Sequence, residues 1–491
     1  MKKMITLFLL CSLITSLVSC GEAAPSGDTT AGTDSGAADT TEPLSFADAH
    51  AQTKDGLPAM DFGGEEFVIT INNYTGCEAG FLAEETNGDV LNDAVYKRNT
   101  AVEERFNVKL KYESDTYNTL AAQVTKSVTA GDDYYQLCNQ HAATALPWVT
   151  GGILMNWQEM SHVDFSQPWW SPSNDADLTY NGRAYLAVGD FGLTTIGRTY
   201  AIYYDMVEAE SNKLPDLYEM VYDGKWTFDT MLSYTKDTYR DLNSNGKEDT
   251  FEDLYGFSTS VATNVSAFYW AFGGKIMDKG EMVLDIEKMA DITTKMIDVC
   301  WNYPGTAYDP GYANASGNRN YLGVEKMAQG TTLFAVAMID SGILYLRDSV
   351  NDYGILPYPK WDEAQKDYYT VVDLGFTVMG IPKSVVNVER AGILAEALCA
   401  ETYRTVISPY YEMAIKQKGA RNEESIDMID FVLSKRVYDF GLLYDGWKGF
   451  GFTLEKLVKE QNENFASYYA ANINSIQAHY DSVLEAFTAE E

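Results

Sequence analysis

The chain is expected to fold as α/β, in two lobes with a helical C-terminal portion. Three observations predict this. The folded part opens with strand, helix, strand, helix, strand. Of the 491 residues, about 430 remain to fold beyond the N-terminal segments, too many for one core. Apolar residues recur at helical spacing near its end.

The first strand is read in Phe67-Val68-Ile69-Thr70-Ile71, which Asn72-Asn73-Tyr74-Thr75-Gly76 breaks. Leu91, Val95, Val102 and Phe106 then mark one face of a helix. Val108-Lys109-Leu110-Lys111-Tyr112 alternates as a strand does. A second helix carries Leu120, Val124 and Val128 and stops near Gly131, and Tyr134 to Cys138 reads as a third strand. This order predicts a mostly parallel sheet, whose ligands sit beyond the carboxyl ends of the strands. Those ends carry Asn73 and Tyr74, then Asn139, Gln140 and His141. Asn73, Asn139 and Gln140 are therefore candidate ligand contacts, although such residues also serve turns. Near the other end, Ser425, Met428, Ile429 and Val432 share a helical face.

Residues 1–19 read as a secretory signal: Lys2 and Lys3 precede an apolar run too short to span a bilayer. Leu17-Val18-Ser19-Cys20 resembles a bacterial lipobox, which implies lipidation at Cys20. Residues 20–60, rich in small and polar types, are expected to form a flexible tether. The body is thus expected at the outer face of the cell membrane or in the periplasm, held by a lipid alone. With 36 Lys and Arg against 71 Asp and Glu, the net charge of −35 repels nucleic acid and anionic lipid. Beyond Cys11 in the signal and Cys20, the remaining cysteines of the six (Cys77, Cys138, Cys300 and Cys399) have no C-x-x-C spacing and are expected as buried free thiols. The four histidines are scattered, which speaks against a His-based metal site.

Asp241, Asn243, Asn245, Gly246 and Glu252 match the calcium-loop pattern D-x-[DN]-x-[DN]-G-x5-E. The ligand set would be Asp241, Asn243, Asn245, the Lys247 carbonyl, Asp249 and Glu252. A helix capped by Thr227 enters the loop, while Leu254-Tyr255-Gly256-Phe257 leaves it as a strand. A sensor needs two helices whose angle changes, so the expected role of Ca2+ is a structural clip.

Several stretches in order resemble bacterial extracellular solute-binding proteins of the family-1 type, which serve ABC importers for sugars. They are "NDAVYKRNTAVEERFNVKL", "RAYLAVGDFGLTTIGRTYAIYYDMVEAE", the 222–257 segment around the calcium loop, "FYWAFGGKIMD", "GTTLFAVAMIDSG" and "DLGFTVMGIPKS". The resemblance implies a type II periplasmic-binding-protein-like fold whose two lobes are joined by several crossings and close on a solute. Lobe one is placed at 61–190 and 375–410, lobe two at 200–370 and 411–491. It also implies no enzymatic activity, a monomer, and ABC permease subunits as partners.

Aromatic residues make up 13% of the chain, with 34 Tyr and 9 Trp. Aromatic faces beside carboxylates and amides suit sugars, which implies a carbohydrate, above all an oligosaccharide. Where the resemblance puts the cleft, Trp169, Trp170, Asp190, Trp270 and Asp340 are the candidate contacts. Adjacent residues in extended chain face opposite ways, so Trp169 and Trp170 are not expected to be buried together. Asp340 ends a buried strand and needs a partner. Two alternatives stay open. One is a surface glycan-binding protein without a permease. The other is a glycoside hydrolase, for which no carboxylate pair stands out. G-x-S-x-G, H-E-x-x-H and Walker motifs are absent.

Overall fold

In the computed structural model, residues 46–488 are described, apart from 75, 261–262, 314–320 and 416–422. The signal segment and Cys20 lie outside the described residues. Two sheets organise the body. The first contains β1 (Glu65–Asn72), β2 (Val108–Asp115) and β3 (Leu137–His141), all parallel. The second contains β4 (Tyr200–Asp205), β5 (Tyr255–Ser260), β6 (Thr306–Asp309), β7 (Thr332–Met338) and β8 (Tyr353–Leu356), in the order β8-β4-β7-β5-β6. A late strand, β9 (Thr377–Gly380), returns to the first sheet and pairs antiparallel with β3, giving the order β9-β3-β1-β2.

Local chemistry explains the element boundaries. The Asp89 carboxylate accepts from the N–H groups of Leu91 and Asn92 and starts the helix Val90–Phe106. Thr116 caps the helix Tyr117–Ala130, and Gly131, with φ near +70°, ends it. The third strand sits later than the expected Tyr134–Cys138. Gln136 joins β1 by donating its N–H to the Val68 carbonyl, and the ladder runs on to His141.

β1 has apolar side chains on both faces, as a covered parallel strand should. Phe67, Ile69 and Ile71 pack in one core with the helix Val388–Thr405. Val68 and Cys138 belong to the other core, which continues through the second sheet and the C-terminal helices. The helix Phe465–Ala486 touches both Ile286–Trp301 of the second lobe and the short helix Leu146–Thr150 of the first. The helix Ile407–Ile415 likewise packs on Val90–Phe106 and on Asp340–Leu344. The C-terminal part therefore bridges the lobes. The four body cysteines are buried and free.

The expected tether is cut short by this packing. Residues 46–60 lie on the first lobe instead of standing off it. The His50 ring stacks on Tyr403 at 3.8 Å between centroids. Asp55 pairs with Arg105 at 2.5 Å and with Arg404 at 3.0 Å. Leu57 and Met60 pack against the first core. Counting small residues hid these few apolar and charged anchors.

Candidate functional site

The two crossings run side by side between the sheets. Asp373 donates its N–H to the Arg198 carbonyl at 2.9 Å, and Thr199 bridges Val372. This puts Arg198, at the entry to β4, and Asp373, before β9, in the middle of the molecule. Arg198 Nε lies 3.3 Å from Asp340 Oδ2, and both side chains are almost fully buried. The Arg198 guanidinium also lies 5.3 Å from the Tyr74 ring centroid and donates to the Tyr321 hydroxyl at 3.4 Å. Asp373 accepts from the hydroxyls of Tyr200 at 2.9 Å and Thr263 at 2.6 Å.

The first lobe meets this cluster with the carboxyl ends of β1 and β3. His141 lies 5.4 Å from the Tyr74 ring and 5.0 Å from that of Tyr117. A methyl group built on Gly76 would lie 3.5 Å from Leu344, so the loop after β1 abuts the helix that Asp340 begins. Tyr321 and Tyr345 stack edge to face at 4.7 Å on the second-lobe side.

Electrostatics set the cluster apart. Burial pushes the Asp340 carboxyl up to about 6, against the opposing pull of Arg198. Burial also holds the His141 imidazole down to about 4, with Asp373 working the other way. Burial opposes the charge on Arg198, but Asp340, Tyr74, Tyr321 and Asp373 outweigh it and keep the guanidinium charged. Several buried polar atoms here have no hydrogen-bond partner: both carboxamide atoms of Asn72, the Tyr74 hydroxyl, His141 Nδ1 and Asp340 Oδ1. Buried polar atoms are nearly always paired, so these open donors and acceptors are free to take water or a polar ligand. The arrangement can bind and orient a polyhydroxylated molecule between aromatic faces.

The candidate contacts fall in different places. Asp340 is in the cluster, and its required partner is Arg198. Asn73 is exposed, its N–H bonded to Asp115, while the neighbouring Asn72 points inward. Gln140 is buried and donates to the Tyr117 carbonyl at 3.0 Å. Asn139 is fully buried with both carboxamide atoms unpartnered, one residue out of phase with Asn72 and so on the opposite sheet face. Trp169 and Trp170 are both buried, contrary to the expectation that one would be exposed. Their indoles donate 2.8 Å hydrogen bonds to the two oxygens of Glu396. Asp190 donates its N–H to the Trp169 carbonyl at 2.9 Å, and burial raises its carboxyl to about 7 against the pull of Arg436. Trp270 is buried and donates to Asp439 at 2.8 Å. It lines a cavity of about 270 Å3 together with Tyr369, Tyr438 and Lys275, where Lys275 bridges Asp177 of the first lobe at 2.9 Å. Sequence reading did not single out Arg198, Tyr321 and Asp373, which the fold brings to this cluster. The one available signal was a lone basic residue inside the apolar "GLTTIGRTYAIYY".

The segment 241–252 is a tight turn braced by its own side chains. Asp241 Oδ2 accepts from the Gly246 N–H at 2.8 Å, and Gly246 has φ near +73°. Asn243 and Asn245 accept from the N–H groups two residues on, at 3.0 and 2.7 Å. Asp241 Oδ1 is buried and unpartnered. Asn243 Nδ2 holds Glu252 Oε2 at 2.5 Å, and that bond would have to open for both to face one ion. Among the described residues no three His, Cys, Asp or Glu side chains are already gathered as for a metal. Asp253, outside the pattern, fastens the loop by accepting from Asp249 N–H at 2.7 Å and the Tyr239 hydroxyl at 2.9 Å. The helix Phe228–Thr235 precedes the loop and β5 comes after it, as expected.

No protein-family model matches the chain, and no curated protein is similar to it. Solved structures are. UspC of Mycobacterium tuberculosis matches 84% of this chain and all of its own at 11% identity and a TM-score of 0.56. UgpB of the same organism, in complex with glycerophosphocholine, matches 87% and 100% at 15% identity and 0.54. An ABC transporter solute-binding protein from Thermotoga lettingae, bound with α-D-tagatose, matches 86% and 100% at 14% identity and 0.52. The chain has the two-lobe fold of ABC transporter solute-binding proteins.

Proposed function

We propose that this protein captures a carbohydrate between its lobes and delivers it to an ABC permease, without breaking a bond. One observation carries the reading. Open polar atoms of Tyr74 and His141 from the first lobe lie against the Arg198–Asp340 pair at the base of the second. A ligand that satisfies both sets stabilises the closed form, which the permease then reads. The bound solute of one similar structure, α-D-tagatose, is a small polyhydroxylated sugar and supports the class. Cys20 would hold the body at the membrane through a lipid, and no described helix is long and apolar enough to cross it.

We also propose a structural Ca2+ in the 241–252 loop, held by Asp241, Asn243, Asn245, the Lys247 carbonyl, Asp249 and Glu252. The loop backbone and the open Asp241 Oδ1 support it. With three carboxylates its affinity belongs near the ~10⁻⁴ M of extracellular modules.

Thermal-shift screening against neutral mono- and oligosaccharides tests the main reading. A saturable rise in melting temperature with no release of reducing sugar supports it. Release of reducing sugar at the same site would turn the assignment to a hydrolase.

A further inference from the structure

We propose that the C-terminal helical portion carries a second saccharide site, built on the indole of Trp447. The proposal rests on the carbohydrate reading of the cleft for its ligand class alone. Its geometry is independent.

The segment "DGWKGFGF", residues 445–452, wraps around a buried carboxylate. Asp445 is 1% exposed, and its Oδ1 accepts the Gly451 N–H at 2.8 Å. The N–H groups of Trp447 and Gly449 donate to the same carboxylate. Gly449 has to be glycine, because a Cβ there would lie 2.1 Å from the Tyr480 hydroxyl. Trp447 itself takes φ near +65°, a left-handed conformation unfavourable for a bulky residue. The result is an indole 70% exposed to solvent. It is also held in place, stacked on Phe452 at 4.3 Å between centroids and 20° between planes. A strained backbone that presents an aromatic face outward is a feature found at binding sites.

Around this face is a cavity of about 300 Å3, whose polar wall includes Glu455, Lys456 and Tyr468. The Lys456 ammonium lies 4.9 Å from the Tyr468 ring centroid. The cavity is at the low end of the roughly 300–1,000 Å3 of small-molecule sites, room for about one or two hexose rings. A stable protein partner needs on the order of 800 Å2 of face, far more than one stacked indole offers. Acidic ligands are disfavoured by Glu455 and by the net charge of −35. A neutral sugar face on the indole, with hydroxyls toward Glu455 and Lys456, fits all of these features.

The test uses the full chain labelled with 5-fluorotryptophan. Trp447→Phe assigns the Trp447 fluorine resonance among the nine tryptophans. Malto-, manno-, cello- and xylotetraose are titrated into the wild type and into Tyr74→Ala, whose cleft should bind about tenfold or more weakly. The expected result is a saturable shift of that resonance in both proteins with at least one sugar. Calorimetry in the Tyr74→Ala background should then show Trp447→Ala weakening that binding roughly fivefold to tenfold. In the wild-type background, Trp447→Ala leaves cleft affinity as it was. A Trp447 resonance that moves only when the cleft is filled, or with none of the four sugars, overturns the proposal. So does a Trp447→Ala protein that binds every sugar normally but no longer supports uptake, which would make the indole a permease contact. A shift at Trp447 in the wild type with no sugar bound in its cleft keeps this site and removes the cleft reading.

Discussion

Two buried carboxylates, Glu396 inside lobe one and Asp340 where the lobes meet, are partnered in different ways. Burial raises both, Glu396 to about 7 and Asp340 to about 6. Glu396 has each oxygen on an indole N–H, and Oε2 also accepts the Asp164 N–H at 3.2 Å. Asp340 has Arg198 at one oxygen and nothing hydrogen-bonded at the other. A fully satisfied buried group holds a fold together, while a partly satisfied one is costly unless something else completes it. The first arrangement belongs to the scaffold; on the proposed reading the second is completed by the ligand.

The sharpest way to break this contrast is Glu396→Ala. It strands two buried indole N–H groups and should cost about 3–5 kcal/mol of stability. Denaturant unfolding would measure that loss. Ligand affinity at a temperature where the variant stays folded should not move. The reverse pattern is expected of Asp340→Asn. It keeps the volume, should cost only about 1–2 kcal/mol of stability, and should weaken ligand binding about tenfold or more. A Glu396 variant that loses ligand and keeps its stability would invert the assignment of the two sites.

pH sharpens the same comparison. His141 titrates lower in the fold than in the unfolded chain, at about 4 against 6.5. Its contribution to stability is therefore complete above pH 6.5 and is lost as the pH falls toward 4. Asp340 titrates higher in the fold, at about 6 against 3.8. Its contribution is present below about pH 4 and is lost as the pH rises through 6. The two slopes oppose each other between about pH 4 and 6, so stability should rise less with pH in His141→Gln than in wild type, and more steeply in Asp340→Asn. The smallest effect is expected at the 241–252 loop. Chelation should lower the melting temperature by a few degrees and leave ligand specificity intact, which a thermal shift with and without Ca2+ measures.

How much of the molecule is legible in its sequence depends on the range of the interactions. The strand and helix order of residues 65–141, the Thr227 cap and the loop backbone at 241–252 depend on neighbours within a few residues. Asp340 at the end of a buried strand announced that it needed a partner. The identity of that partner could not be read, because Arg198 is on another crossing. The Trp169-Trp170 pair was misplaced for the same reason, since alternation holds until a distant group such as Glu396 accepts both indoles. Segment 46–60 looks like a linker by composition, and only Arg105, Tyr403 and Arg404 reveal it as part of the body.

The central claim is that a solute is gripped from both lobes at the Tyr74–His141–Arg198–Asp340 cluster. Titration calorimetry with the best saccharide from the screen, on wild type, Tyr74→Ala and Asp340→Asn, tests it most directly. One binding event per chain in the wild-type cleft, weakened about tenfold or more by a change on either lobe, is the predicted result. Equal affinity in all three proteins would contradict it.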